Sequence, residues 1–177
     1  TDIALSNGAS IDELSLGLDG DPVVVLNFAV VAGSANTAFT FSFAGLSFPT
    51  IIGEGTATAA VTVTDNDGNG ATGAGMLSGQ FYQASYNSGT NFWTGLSGPV
   101  VAPMWGSSTG DANIPPWQAM GSVNQIASQF NFSLTAGDGA SGTSSYVVRQ
   151  VVPEPSSLVL SMGALGFFGA FLRRRRS

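Results

Sequence analysis

Phe39-Thr40-Phe41-Ser42-Phe43 places an aromatic ring at every second residue, and Phe130-Asn131-Phe132-Ser133-Leu134 repeats the pattern far downstream. Successive side chains of a strand point to opposite faces, so each segment reads as a strand with one greasy and one polar face. Residues 22–31 (PVVVLNFAVV) are almost continuously apolar and rich in Val, as in a central strand covered on both sides, with Pro22 at its start. Residues 3–5, 14–18, 56–64, 77–86, 91–94 and 143–148 supply further strands. The pairs Asn7-Gly8, Asp19-Gly20, Asp67-Gly68 and Asn69-Gly70 separate them with residues that tolerate positive φ. Residues 95–120, broken by Pro99, Pro103, Pro115 and Pro116, read as an irregular excursion with room for a helical turn near 116–119. Eight or so strands with almost no amphipathic helix predict an all-β domain over residues 1–150. The expected form is an antiparallel β-sandwich of jelly-roll or immunoglobulin-like kind.

The charge divides the chain in two. Residues 1–150 carry ten Asp or Glu against the lone Arg149, whereas residues 151–177 carry Glu154 against Arg173, Arg174, Arg175 and Arg176. A body with no Lys and one Arg has no means of neutralising phosphates, which removes nucleic acid as an expected partner. The chain starts at Thr1 without a Met or a basic, apolar leader, as expected of an exported chain whose signal has been removed. There is no Cys, so the fold must be held by its core or by metal ions rather than by disulfides.

The missing residue types also bear on catalysis. Without His or Cys there is no Ser-His-Asp or Cys-His arrangement and none of the usual zinc or copper ligands. Without Lys there is no Schiff base and no phosphate-loop lysine. A pair of carboxylates across a cleft would still be a formal route to glycoside hydrolysis. Most acids, however, lie beside Gly or Asn in turn-like contexts, so the body is expected to be no enzyme.

Two segments carry candidate binding chemistry. Asp65-Asn66-Asp67-Gly68-Asn69-Gly70 matches the first half of an EF-hand-type loop, which makes Asp65, Asp67 and Asn69 candidate calcium ligands. Its twelfth position is Met76 rather than an acid, so a complete site needs help from another loop, such as that of Asp19 and Asp21. The same six residues also read as a plain hairpin loop. Trp93, Trp105 and Trp117 fall together in the middle of the chain, close to Tyr82, Tyr86 and Phe92. Flat rings rimmed by Asn, Gln and Ser suit a polysaccharide, and they equally suit core filling beneath a long loop.

Residues 156–172 (SSLVLSMGALGFFGAFL) form 17 residues without a charge, closed by the four arginines at 173–176. Such a stretch predicts a short hydrophobic helix crossing a bilayer, with its arginines held on the cytoplasmic side and the body outside. Just upstream stand Val152, Pro153, Glu154 and Pro155, whose two prolines keep the backbone extended where a processing enzyme can grip it. This VPEP motif, the apolar stretch and the terminal arginines together resemble the PEP-CTERM sorting signal of Gram-negative bacteria. The resemblance implies an exosortase in the inner membrane that cleaves near Pro153, Glu154 and Pro155. It further implies transient anchoring, then release to the cell surface or extracellular matrix, with links to exopolysaccharide and biofilm. On this reading residues 151–177 are the sorting signal and residues 1–150 a structural surface domain able to self-associate. The alternative is a carbohydrate-binding module that recognises exopolysaccharide through the tryptophans.

Overall fold

A computed structural model describes residues 3–43, 45–114 and 116–151. Its described residues form twelve strands and no helix: β1 (Ile3–Ala4), β2 (Ser10–Asp19), β3 (Val23–Val31), β4 (Thr37–Ser42), β5 (Leu46–Thr64), β6 (Ala71–Gly75), β7 (Gln80–Tyr86), β8 (Thr90–Ser97), β9 (Val100–Ala102), β10 (Ser107–Asn113), β11 (Gln118–Leu134) and β12 (Gly139–Gln150). Every pairing between them is antiparallel. The hydrophobic helix expected at the carboxy end lies outside the described residues.

Two long strands, β5 and β11, each serve two layers. The first part of β5 pairs with the first part of β11, from Gln118↔Gly55 to Ile126↔Leu46. The second part of β5 lies between β12 and β10, in a layer completed by β3 and β2. The second part of β11 lies between β4 on one side and β7 and β6 on the other, with β8 and β9 beyond them. The sheet thus folds back on itself as a sandwich.

The strands bend at irregularities visible in the register. Glu54 and Gly53 face Ala119 and Gly121, leaving Met120 as an extra residue that turns into the core, while Gly121 takes φ 75°. Such a bulge bends the strand and increases its twist. Further on, Phe48, Pro49 and Thr50 stand against Asn124 alone, so Pro49 sits at a break in the ladder where its missing N–H costs nothing.

The core is built from the alternating rings. Phe28 of β3 stacks on Phe41 of β4 with centroids 4.8 Å apart. It also meets Phe130 at 5.1 Å and Phe132 at 5.3 Å, both on β11. Phe39 and Phe81 extend the cluster through Phe132. Phe28 can lie this way because its partner across the ladder is Gly142, where an added Cβ would come within 2.4 Å of the ring. The Tyr82 hydroxyl is buried in the same interior, and that burial pushes its pKa up to about 12, opposed by the Ser144 and Ser128 hydroxyls.

Several sequence expectations change. β3 is central, between β2 and β12, but it is not covered on both sides: Val24, Leu26, Phe28 and Val30 are buried while the residues between them are only half-buried. Residues 95–120 are not an irregular excursion, since they hold the end of β8, all of β9 and β10, and the start of β11. No helical turn forms near 116–119, because Gln118 already pairs with Gly55. β10 is SSTGDAN, with no apolar period to announce it; its place comes from pairing with β5, where Thr62 and Thr64 hydroxyls meet Thr109 and Ser107 at 2.8 and 2.9 Å. The strand read from residue 56 begins at Leu46. The strand read from residue 77 starts at Gln80, after a turn closed by the Leu77 and Gln80 backbones.

Truncation at the centre of this aromatic cluster should be costly. Phe28→Ala is expected to lower unfolding free energy by about 3–5 kcal/mol in urea titration, and a loss below about 1 kcal/mol would show that the two layers do not meet at this ring. Gly142→Ala is expected to destabilise the fold although it adds only a methyl group, because that methyl has nowhere to go without moving the Phe28 ring.

Candidate functional site

The ladder between β5 and β12 is unbroken from Thr64↔Gly139 to Gly53↔Gln150. Asp65 follows Thr64 and Asp138 precedes Gly139, so antiparallel register sets these two acids opposite each other at one end of the sandwich. Asp67, two residues further along the β5–β6 loop, completes the group: one carboxylate oxygen from each of Asp65, Asp67 and Asp138 lies within 4.8 Å of the others. Asp65 is 4% exposed and Asp138 is fully buried, whereas Asp67 faces solvent.

Neighbouring donors hold each carboxylate. The Trp105 backbone N–H donates to Asp65 Oδ2, and Asp65 donates its own N–H to the Gly106 carbonyl at 2.9 Å, which pins the β9–β10 loop to this end. Asp138 accepts from the Asn66 N–H through Oδ1 and from the Thr135 hydroxyl through Oδ2. Asn69 donates its N–H to Asp67 Oδ1 and its side-chain amide to Asp67 Oδ2. Asp65 Oδ1 is buried with no hydrogen-bond partner. Burial works to raise the Asp65 pKa, but donation from the Trp105 backbone, with smaller contributions from Gly70, the Asp67 side chain and Asn69, outweighs it and holds the carboxyl below its ordinary value.

The sequence expectation is therefore corrected in its partners. Asp65 and Asp67 are brought together as expected, but the help comes from Asp138 rather than from Asp19 and Asp21. Those two lie by Val23, at the far end of β3 from Val31, which pairs with Gly139. Asn69, read as a ligand, acts on Asp67 through its two N–H donors. Asp138 stands in the Gly-rich turn Ala136-Gly137-Asp138-Gly139, where an acid reads as ordinary turn chemistry until the register of β12 is known.

The three tryptophans do not share one surface. Trp105 is 72% exposed, with φ 57°, and its indole lies across Gly68, where an added Cβ would come within 2.3 Å of it. Trp117 is half-buried beneath Arg149, whose guanidinium carbon is 4.1 Å from the ring centroid, and Arg149 also pairs with Glu54. Glu54 and Thr64 are ten residues apart on β5, which at strand rise puts Trp117 and Trp105 about 30 Å from each other. Trp93 is half-buried on β8 and packs on Tyr82 at 5.7 Å. Trp105 is the most exposed of the three rings.

At the other end of the β5–β12 ladder the chain is held to the last described residue. The Val151 N–H donates to the Ile52 carbonyl at 2.8 Å, continuing the pairing of Arg149 with Glu54 and Gln150 with Gly53. Val152, Pro153, Glu154, Pro155 and the arginines at 173–176 lie outside the described residues. Among the described residues no helix is long and apolar enough to cross a membrane.

Comparison with solved structures finds partial likenesses at low sequence identity. TmCBM61 in complex with beta-1,4-galactotriose is 12% identical, with a TM-score of 0.37, covering 81% of this chain and 87% of its own. The infectious bursal disease virus Gx strain structure is 12% identical, with a TM-score of 0.32, covering 81% of this chain and 39% of its own. CsCBM6-3 from Clostridium stercorarium in complex with cellobiose is 16% identical, with a TM-score of 0.24, covering 85% of this chain and 94% of its own. No curated protein matches the chain in sequence. Residues 151–176 match the PEP-CTERM protein-sorting motif, so this chain is a PEP-CTERM-containing protein whose signal begins where its last strand ends.

Proposed function

We propose that this is a non-catalytic structural protein of the Gram-negative cell surface or extracellular matrix, delivered there by an exosortase acting on its carboxy-terminal signal. The observation that carries this reading is the sorting motif at residues 151–176, set directly against a strand that stays paired with β5 up to Val151. Cleavage near Pro153, Glu154 and Pro155 would remove the greasy segment and its arginines without breaking any described hydrogen bond of the sandwich. The inner membrane and the exosortase are then transient partners, and residues 1–150 are the delivered domain.

Outside the cell, the domain would work by weak contact with its own kind and with exopolysaccharide. The edge strand β2 supports self-association. Among the described residues nothing pairs with its outer edge beyond Ser10 and Ile11. Leu14, Leu16 and Leu18 stand opposite Phe28, Leu26 and Val24 of β3, hence on the core side of the layer, yet all three are exposed. A free edge carrying a row of leucines suits strand pairing with a second copy. Asp12, Glu13 and Asp19 on the same strand keep such pairing weak at low salt. The alternative reading, a carbohydrate-binding module, would rest on the exposed Trp105 ring, since Trp105 and Trp117 lie at opposite ends of β5.

Mass spectrometry of the protein isolated from its native cells is expected to find the carboxy terminus near residues 153–155, and to find the tail retained in a Glu154→Ala variant. A native chain ending intact at Arg176 and Ser177 would contradict the sorting account. For the released protein, sedimentation is expected to show association that strengthens with salt and is lost in Leu16→Glu. A monomer at every concentration and salt would remove β2 as a contact.

A further inference from the structure

We infer that Asp65, Asp67 and Asp138 form a calcium site that locks three loops together at one end of the sandwich. The three carboxylates converge within 4.8 Å, and two of them are buried. Burying like charges together is costly unless a counter-charge or a shared proton offsets it. The described part of the chain offers no cationic side chain for this purpose, since Arg149 lies at the opposite end of the β5–β12 ladder on Glu54.

Donors already meet the other two carboxylates. Asp67 accepts from two N–H groups of Asn69, and Asp138 accepts from the Asn66 N–H and the Thr135 hydroxyl. What is left is Asp65 Oδ1, an oxygen in a nearly fully buried side chain of this cluster with no donor. A buried anionic oxygen without a partner is a rare and costly thing, and a metal ion would satisfy it.

The chemistry selects the ion. All donors are oxygens, with no His or Cys in the chain, which disfavours zinc and copper. Loop-borne carboxylates of this kind suit calcium, which accepts irregular oxygen shells, better than magnesium, which demands a near-ideal octahedron and keeps its water. Asp65 and Asp67 occupy the first and third positions of the loop pattern, and Asp138 supplies the acid that the missing twelfth position does not.

Occupancy would couple the β5–β6 loop, the β11–β12 loop through Asp138, and the β9–β10 loop through the Trp105 and Gly106 contacts with Asp65. An affinity on the order of 10⁻⁴–10⁻³ M, the range of extracellular modules, would fill the site outside the cell and leave it largely empty inside. Calcium would then reinforce the domain once it has been exported.

The test is thermal unfolding of the full chain in mild detergent at constant ionic strength, with calcium chloride, magnesium chloride or EDTA, together with calorimetric titration of calcium. Saturating calcium is expected to raise Tm by about 3–6 °C, and magnesium to do much less. Asp138→Asn is expected to abolish the calcium shift and to raise Tm in EDTA, because it removes one of three mutually repelling charges. Asp111→Asn, on β10 outside the cluster, should leave the shift intact. Should Asp138→Asn fail to fold, Asp67→Asn, at the exposed member, is expected to weaken calcium binding at least tenfold in the titration. No calcium shift at 10 mM, a shift that persists in both variants, or equal shifts with magnesium would overturn the proposal.

Discussion

The unbroken ladder between β5 and β12 is the constraint from which the rest of the molecule takes its place. Twelve consecutive pairs, Gly139↔Thr64 to Gln150↔Gly53, leave no freedom of register. A one-residue slip would turn Tyr146 and Val148 away from the core and expose them. One end of this ladder sets Asp65 against Asp138, and the other carries the chain to Val151 at the threshold of the sorting segment. The two chemically distinctive ends of the domain are therefore positioned by the same hydrogen bonds.

The aromatic interior makes that ladder matter. Phe28 reaches Phe41, Phe130 and Phe132 across the sandwich because Gly142 leaves it space. Gly142 of β12 is thus part of the packing rather than filler: a small residue on one strand lets a large ring lie across it. In the absence of disulfides, the layers are joined by this contact and by β5 and β11, which pass from one layer to the other.

The strands with greasy alternation were legible in the sequence, since residues 39–43 and 130–134 advertise their buried face by period alone. β10 was not, because SSTGDAN has no such face and becomes a strand only through the partner that β5 offers. The first half of β5 was not read as a strand; it contains Pro49, which finds its place at the register shift against Asn124. At the candidate cation site, Asp65 and Asp67 were readable from local spacing. Asp138 was not, since its proximity to Asp65 depends on a pairing between residues far apart in the chain. Trp105 and Trp117 illustrate the reverse: close in sequence, they are separated by the length of a strand.

The described strands are paired up to Val151, and the proposed sorting requires that removing the residues beyond it leave the fold intact. The most direct test compares thermal unfolding of a chain ending at Val151 with that of the full chain in the same detergent. The account predicts cooperative unfolding of both, with midpoints within about 2 °C, a stability difference of about 0.5–1 kcal/mol for a chain of this size. A chain ending at Val151 that fails to fold, or melts far below the full chain, would contradict it.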